Sequence, residues 1–100
     1  MFQLRGCPYC AAWDREIGPV YAKTDEGKRL PLRRVEIDAV RPQDLRSLRH
    51  VTFTPTFILM HCGREFRRIE GYTGQDQFWG LLDEGLRALD ASGSRSCTGP

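Results

Sequence analysis

Cys7-Pro8-Tyr9-Cys10 follows a short apolar-leaning segment, residues 1–4, at the point where a helix should begin. Pro8 restricts the local fold more than any other residue. It has no backbone N–H to donate and its ring holds φ near about −65°, so it suits the first position of a helix and disrupts a helix interior or a central strand. The arrangement that satisfies it is a strand ending by Leu4, a turn through Arg5-Gly6, and a helix opening at Pro8. Cys10 then lies one turn from Cys7 on the same helix, and the two sulfurs come within reach of each other.

That placement has chemical consequences. The first turn of a helix carries unpaired N–H groups and partial positive charge, both of which favour a thiolate at Cys7 over the thiol. Free cysteine titrates near about 8.5, and Cys-x-x-Cys thiols at helix N-termini fall to roughly 3.5–7.5. Cys7 is therefore the expected nucleophile, with Arg5 adding positive charge, and Cys10 is the shielded resolving thiol. A zinc site or a purely structural pair is the alternative. Zinc calls for four ligands, and the remaining cysteines, Cys62 and Cys97, are poorly spaced to complete a set.

One hundred residues with 40% hydrophobic content can bury a single core. Nothing approaches the run of roughly 20 apolar residues that a membrane-spanning helix needs. Fifteen Lys and Arg against 13 Asp and Glu leave a net charge of +2 with the signs interleaved, so neither nucleic acid nor an anionic membrane is an expected partner. Four cysteines, unevenly placed, read as catalytic rather than as a disulfide scaffold. No cofactor and no metal is expected, and a monomer is. The six residues before Cys7 include Arg5 and do not read as an export signal, which leaves the cytoplasm open.

The remaining elements follow from periodicity. Residues 1–4 read as the end of a strand, short for a central position, as though upstream strand residues were absent from the chain. Residues 8–22 carry Cys10, Trp13, Ile17, Val20 and Tyr21 at helical spacing, and Pro19 should kink or divide that helix. Residues 23–31 read as a polar loop, 32–37 as a half-buried strand, and 42–49 as a short helix. Residues 56–60 form a nearly continuous apolar run, the pattern of a strand covered on both faces. A turn at His61-Cys62-Gly63 returns the chain along residues 64–70, where Phe66 and Ile69 fall out of alternation and predict a bulge. Residues 75–89 form the last helix, with Phe78, Trp79, Leu82, Leu86 and Leu89 in an apolar stripe.

The order β-α-β-α-β-β-α predicts an α/β fold with a central mixed four-stranded sheet flanked by helices. One domain is expected over residues 1–90, followed by a disordered tail over 91–100 that carries Cys97. Thr54-Pro55-Thr56 stands directly before the apolar strand, and a cis bond before Pro55 is expected, laying this loop against the Cys7 sulfur. The backbone of Thr54 would then be open to an extended substrate adding as a short strand. Tyr9 and Tyr72 are expected at a partner-facing rim, and Cys62 as an exposed turn thiol.

With these residues in view the chain resembles the thioredoxin-like family over about residues 1–89. The resemblance rests on Cys7-Pro8-Tyr9-Cys10, Phe53-Thr54-Pro55-Thr56-Phe57 and the hairpin followed by Gly71-Tyr72. Trp13, Glu16-Ile17-Gly18-Pro19, Pro31-Leu32-Arg33-Arg34-Val35 and Ile69-Glu70-Gly71-Tyr72 make it most similar to the SoxS-type thiol-disulfide reductases of bacterial sulfur-oxidation loci. The resemblance implies a redox enzyme in the periplasm. Its dithiol, Cys7 and Cys10, would reduce disulfide-bonded or sulfur-blocked cysteines of a partner protein and be regenerated by an upstream thiol reductant. Pro8, Tyr9, Thr54, Pro55, Gly71 and Tyr72 would contact the substrate.

Two other readings compete. Cys-Pro-Tyr-Cys is also the usual dithiol of glutaredoxins, but Phe53-Thr54-Pro55 departs from their Thr-Val-Pro, and a Tyr72 side chain should crowd a bound glutathione. Alternatively, Cys7 and Cys10 with His61, Cys62 or Cys97 could hold a metal or cluster. Against this, His61 and Cys62 belong at the far end of the third strand from Pro55.

Overall fold

A computed structural model describes residues 1–93 and Cys97. The elements run β1 (Phe2–Gln3), α1 (Pro8–Glu16), α2 (Gly18–Tyr21), α3 (Asp25–Arg29), β2 (Val35–Glu36), β3 (Thr56–His61), β4 (Arg64–Glu70) and α4 (Gln75–Ala91), with one 3-10 turn at Gln43–Leu45. The four strands form a single sheet in the order β2-β1-β3-β4. β1 is parallel to β2, with Phe2 opposite Val35, and antiparallel to β3, with Phe2 opposite Thr56. β3 and β4 form an antiparallel hairpin. This is the mixed α/β sheet that the order of apolar segments predicts.

β3 is central because both its faces are covered. Side chains alternate between the faces of a strand. Phe57 and Leu59 join a cluster with Trp13, Ile17, Tyr21, Phe78 and Leu82, while Ile58 and Met60 pack on the other side against Phe2, Val35, Leu45 and Val51. Trp13 and Ile17 are wholly buried. Burial of a side chain the size of Ile17 stabilises the fold by about 1.5–3 kcal/mol, so the α1 face that carries Cys10 is firmly fixed on the sheet. The predicted bulge is present: Leu59 pairs with Arg67 and Met60 with Glu65, which leaves Phe66 as the extra residue in β4.

The helix expected over 8–22 is divided at Ile17, as Pro19 predicts. The Ile17 N–H still reaches the Trp13 carbonyl at 2.8 Å, and α2 restarts at Gly18 with Pro19 in its first turn. The polar loop expected over 23–31 is instead a short helix. Thr24 caps α3, its Oγ1 accepting the Gly27 N–H at 3.0 Å, with Asp25 and Glu26 in the first turn and Lys28 and Arg29 in the last, each complementing the helix dipole. Gly27 allows α3 to lie on the end of α2, since a Cβ there would fall 1.8 Å from the Tyr21 carbonyl oxygen. The helix expected over 42–49 shrinks to the 3-10 turn, and the strand expected over 32–37 to two residues.

The last helix extends past residue 89, where its apolar stripe ends. α4 runs through Ala91, and the Ser92 N–H bonds to the Ala88 and Leu89 carbonyls. Cys97, expected on a loose tail, is joined to Cys62 by a disulfide with a Cα–Cα distance of 5.1 Å. The remainder of the expected tail, residues 94–96 and 98–100, lies outside the described residues.

Candidate active site

Cys7 is the N-cap of α1, with extended backbone (φ −75°, ψ 113°), and Pro8 follows it in the first turn. The turn into the helix is closed by the Cys7 N–H donating to the Leu4 carbonyl at 3.1 Å. The Cys7 Sγ accepts the Cys10 N–H at 3.1 Å, so a helix-terminal amide is aimed at the sulfur itself. No acidic residue stands in the first turn to cancel the positive end of the helix. The two cysteines are disulfide-bonded here, with a Cα–Cα distance of 5.2 Å. Cys7 is half-buried, whereas Cys10 is only 5% exposed and belongs to the core cluster. An incoming sulfur can therefore reach Cys7 and not Cys10.

The Thr54–Pro55 bond is cis, as expected. Because Phe2 faces Thr56 in the antiparallel pair, residues 54 and 55 run alongside the end of β1, where the chain turns into Cys7. Two hydrogen bonds fix this loop: Thr56 Oγ1 donates to the Phe53 carbonyl at 2.7 Å, and the Gly71 N–H donates to the Pro55 carbonyl at 2.8 Å. Pro55 is fully buried and Thr54 half-buried. Gly71 has φ +87°, a left-handed conformation that favours glycine and brings its N–H to Pro55.

Pro8 and Tyr9 are exposed, Tyr9 by 62%. Tyr72 is not on the rim. It is 6% exposed, packs with Phe78 in the core, and its hydroxyl donates to Glu16 Oε1. Burial, reinforced by the Glu16 carboxylate, pushes its pKa up to about 12. The reason is backbone path: Gly71 turns the chain so that the next side chain points inward. The expectation that Tyr72 would crowd a bound tripeptide falls with this placement. Two apolar residues not singled out as rim residues, Leu4 (39% exposed) and Phe53 (48%), flank the dithiol turn and the Pro55 loop in sequence. The signal for Phe53 lay in the quoted motif, where a large apolar side chain precedes a turn rather than a strand.

Among the described residues the buried polar or charged group is Thr56 alone, so no buried carboxylate lies beneath Cys10. Glu16 is exposed and engaged by Tyr72. His50 is exposed and Trp13 is core, as expected. His61 and Cys62 lie at the opposite end of β3 from Pro55. That strand spans six residues, roughly 20 Å at about 3.3 Å per residue, so Cys7 and Cys10 cannot share an ion with them. A 380 Å³ apolar cavity beneath residues 29–33 is bordered by Met1, Trp13, Tyr21 and Phe57, and no cysteine lines it.

The model of a thioredoxin-like domain matches residues 1–86. Among solved structures, the chain is similar to the periplasmic thioredoxin SoxS from Paracoccus pantotrophus in its reduced form. The two are 47% identical over 87% of this chain and 92% of that one, with a TM-score of 0.82. A comparison with curated proteins gave no match.

Proposed function

The chain belongs to the thioredoxin-like family and is a thiol-disulfide oxidoreductase, and we propose that it serves in the periplasm as a reductant of disulfide-bonded or sulfur-blocked cysteines on a partner protein. The observation that carries this reading is the asymmetry of the pair: Cys7 is half-exposed at a helix N-terminus with an amide N–H on its sulfur, and Cys10 is buried one turn behind it. The similarity to a protein described as a periplasmic thioredoxin supports the compartment.

In the reduced enzyme the helix terminus favours the Cys7 thiolate. It attacks the partner sulfur and forms a mixed disulfide, while the partner's other sulfur leaves as a thiolate or as a released sulfur group. Cys10 loses its proton to water, since no buried acid is at hand among the described residues, and attacks the Cys7 sulfur. The partner cysteine departs reduced and the Cys7–Cys10 disulfide remains. Two electrons have passed to the partner, and an upstream dithiol restores them by the same steps in reverse.

The partner segment docks beside Thr54. The bonds from Thr56 and Gly71 occupy the Phe53 and Pro55 carbonyls and hold in place the bend that carries Thr54, against which an extended partner segment can lie. Tyr9, Leu4 and Phe53 supply apolar contact around the reacting sulfurs.

The test is turnover of a peptide disulfide with an excess small dithiol as donor. Cys7→Ser should lose activity by about a thousandfold or more, because no nucleophile remains. Cys10→Ser, reduced and freed of the dithiol before it meets the peptide, should stop after one mixed disulfide that carries Cys7, visible by mass. Equal trapping by both variants would refute the assigned roles. Turnover with glutathione as donor that exceeds turnover with the dithiol would favour the glutaredoxin-like reading instead.

A further inference from the structure

We propose that His61, Cys62 and Cys97 form a redox-gated site for a thiophilic closed-shell cation such as zinc, shut while the two sulfurs are bonded to each other and opened when that bond is reduced. The three side chains meet at the hairpin tip: one ring nitrogen of His61 and both sulfurs lie within 4.8 Å of one another. Tetrahedral zinc, with Zn–S near about 2.3 Å and Zn–N near about 2.1 Å, brings its donors to within about 4 Å of each other. The trio therefore needs only a small adjustment once the sulfurs separate.

His61 is the informative member, because a structural disulfide has no use for it. Its Nε2 is buried and has no hydrogen-bond partner among the described residues, a condition that in native proteins calls for an ion, water or function. Access is open on both sides: Cys62 and Cys97 are exposed, and His61 borders a 480 Å³ cavity at the end of α4. Cys62 is also held in a left-handed conformation, φ +54°, in the tight turn with Gly63, directly after His61.

The chemistry balances with an external dithiol as reductant. Two electrons and two protons pass to the Cys62–Cys97 bond, two thiols form, and the dithiol becomes a disulfide. The cation then displaces the two thiol protons and binds two thiolates and one neutral imidazole, with water as the fourth ligand. In this way metal replaces the sulfur–sulfur bond as the tie between the segment carrying Cys97 and the sheet.

The full-length chain carrying Cys7→Ser and Cys10→Ser isolates the site. Reduced with a phosphine, desalted without oxygen and titrated with zinc chloride against a chromophoric chelator, it should bind one equivalent. The same protein left oxidised should bind none. Cys97→Ser in this background should weaken binding by a hundredfold or more, and His61→Gln by at least the roughly 10–100-fold that loss of a supporting ligand contact costs. Circular dichroism checks each variant, and if one is unfolded the reduced-against-oxidised comparison on the parent decides. No zinc on the reduced protein, equal uptake by the oxidised protein, or folded variants that bind as the parent does would each overturn the proposal.

Discussion

At the N-terminal end of β3, Cys7 and Cys10 are three residues apart, one sulfur half-exposed on a helix terminus and the other in the core. At its C-terminal end, Cys62 and Cys97 are 35 residues apart, both exposed, with no helix N-terminus beside either among the described residues. The same bond thus serves two purposes set by its surroundings. A short loop constrains the unfolded chain little, while the helix terminus lowers the cost of the thiolate, which suits a bond that is made and broken. A long loop constrains the unfolded chain much more, and ordinary thiols leave reluctantly, which suits a tie.

The largest effect that sharpens this contrast is on stability. Cys97→Ser should lower the unfolding free energy by about 4 kcal/mol, the scale expected for releasing a loop of this length, measured by denaturant titration without reductant. A midpoint equal to the parent's would break the assignment of Cys62–Cys97 as a tie. A smaller effect tests how the active end is braced. Tyr72→Phe removes the hydroxyl bond to Glu16 and should cost about 1 kcal/mol. It should also change the alkaline limb. Tyr72 has its pKa raised from 10.0 to about 12, so its contribution is fully present below pH 10 and is lost as pH rises through 12. Tyr21, whose hydroxyl donates to the Leu30 carbonyl and whose pKa is also raised to about 12, chiefly by burial, retains its own share of that limb in the variant. An alkaline limb identical in parent and variant would mean that the Glu16 bond does not brace the site.

The residues that were legible from sequence carry their constraint locally. Pro8 suits the start of a helix and disrupts its interior, the nearly continuous apolar run of residues 56–60 marks a central strand, and Pro19 divides the helix that the spacing of residues 8–22 predicts. What was missed depends on the path of the chain through space. α3 has no apolar stripe, and its signals, a Thr24 cap and charges matched to each end, are those of a helix too short to show a period. Tyr72 follows a glycine and reads as exposed, yet the left-handed turn at Gly71 sends it inward. The pairing of Cys62 with Cys97 is set by where α4 ends relative to the hairpin tip, which no local pattern records.

The central claim is that the α1 terminus makes Cys7 a nucleophile at neutral pH. It is tested most directly by following the ultraviolet absorbance of the thiolate against pH in Cys10→Ser, with the Cys62–Cys97 bond kept closed so that Cys7 is the thiol that titrates. A midpoint below about 7.5 is the predicted result, and one at or above about 8.5, the value of an unassisted cysteine, would contradict it.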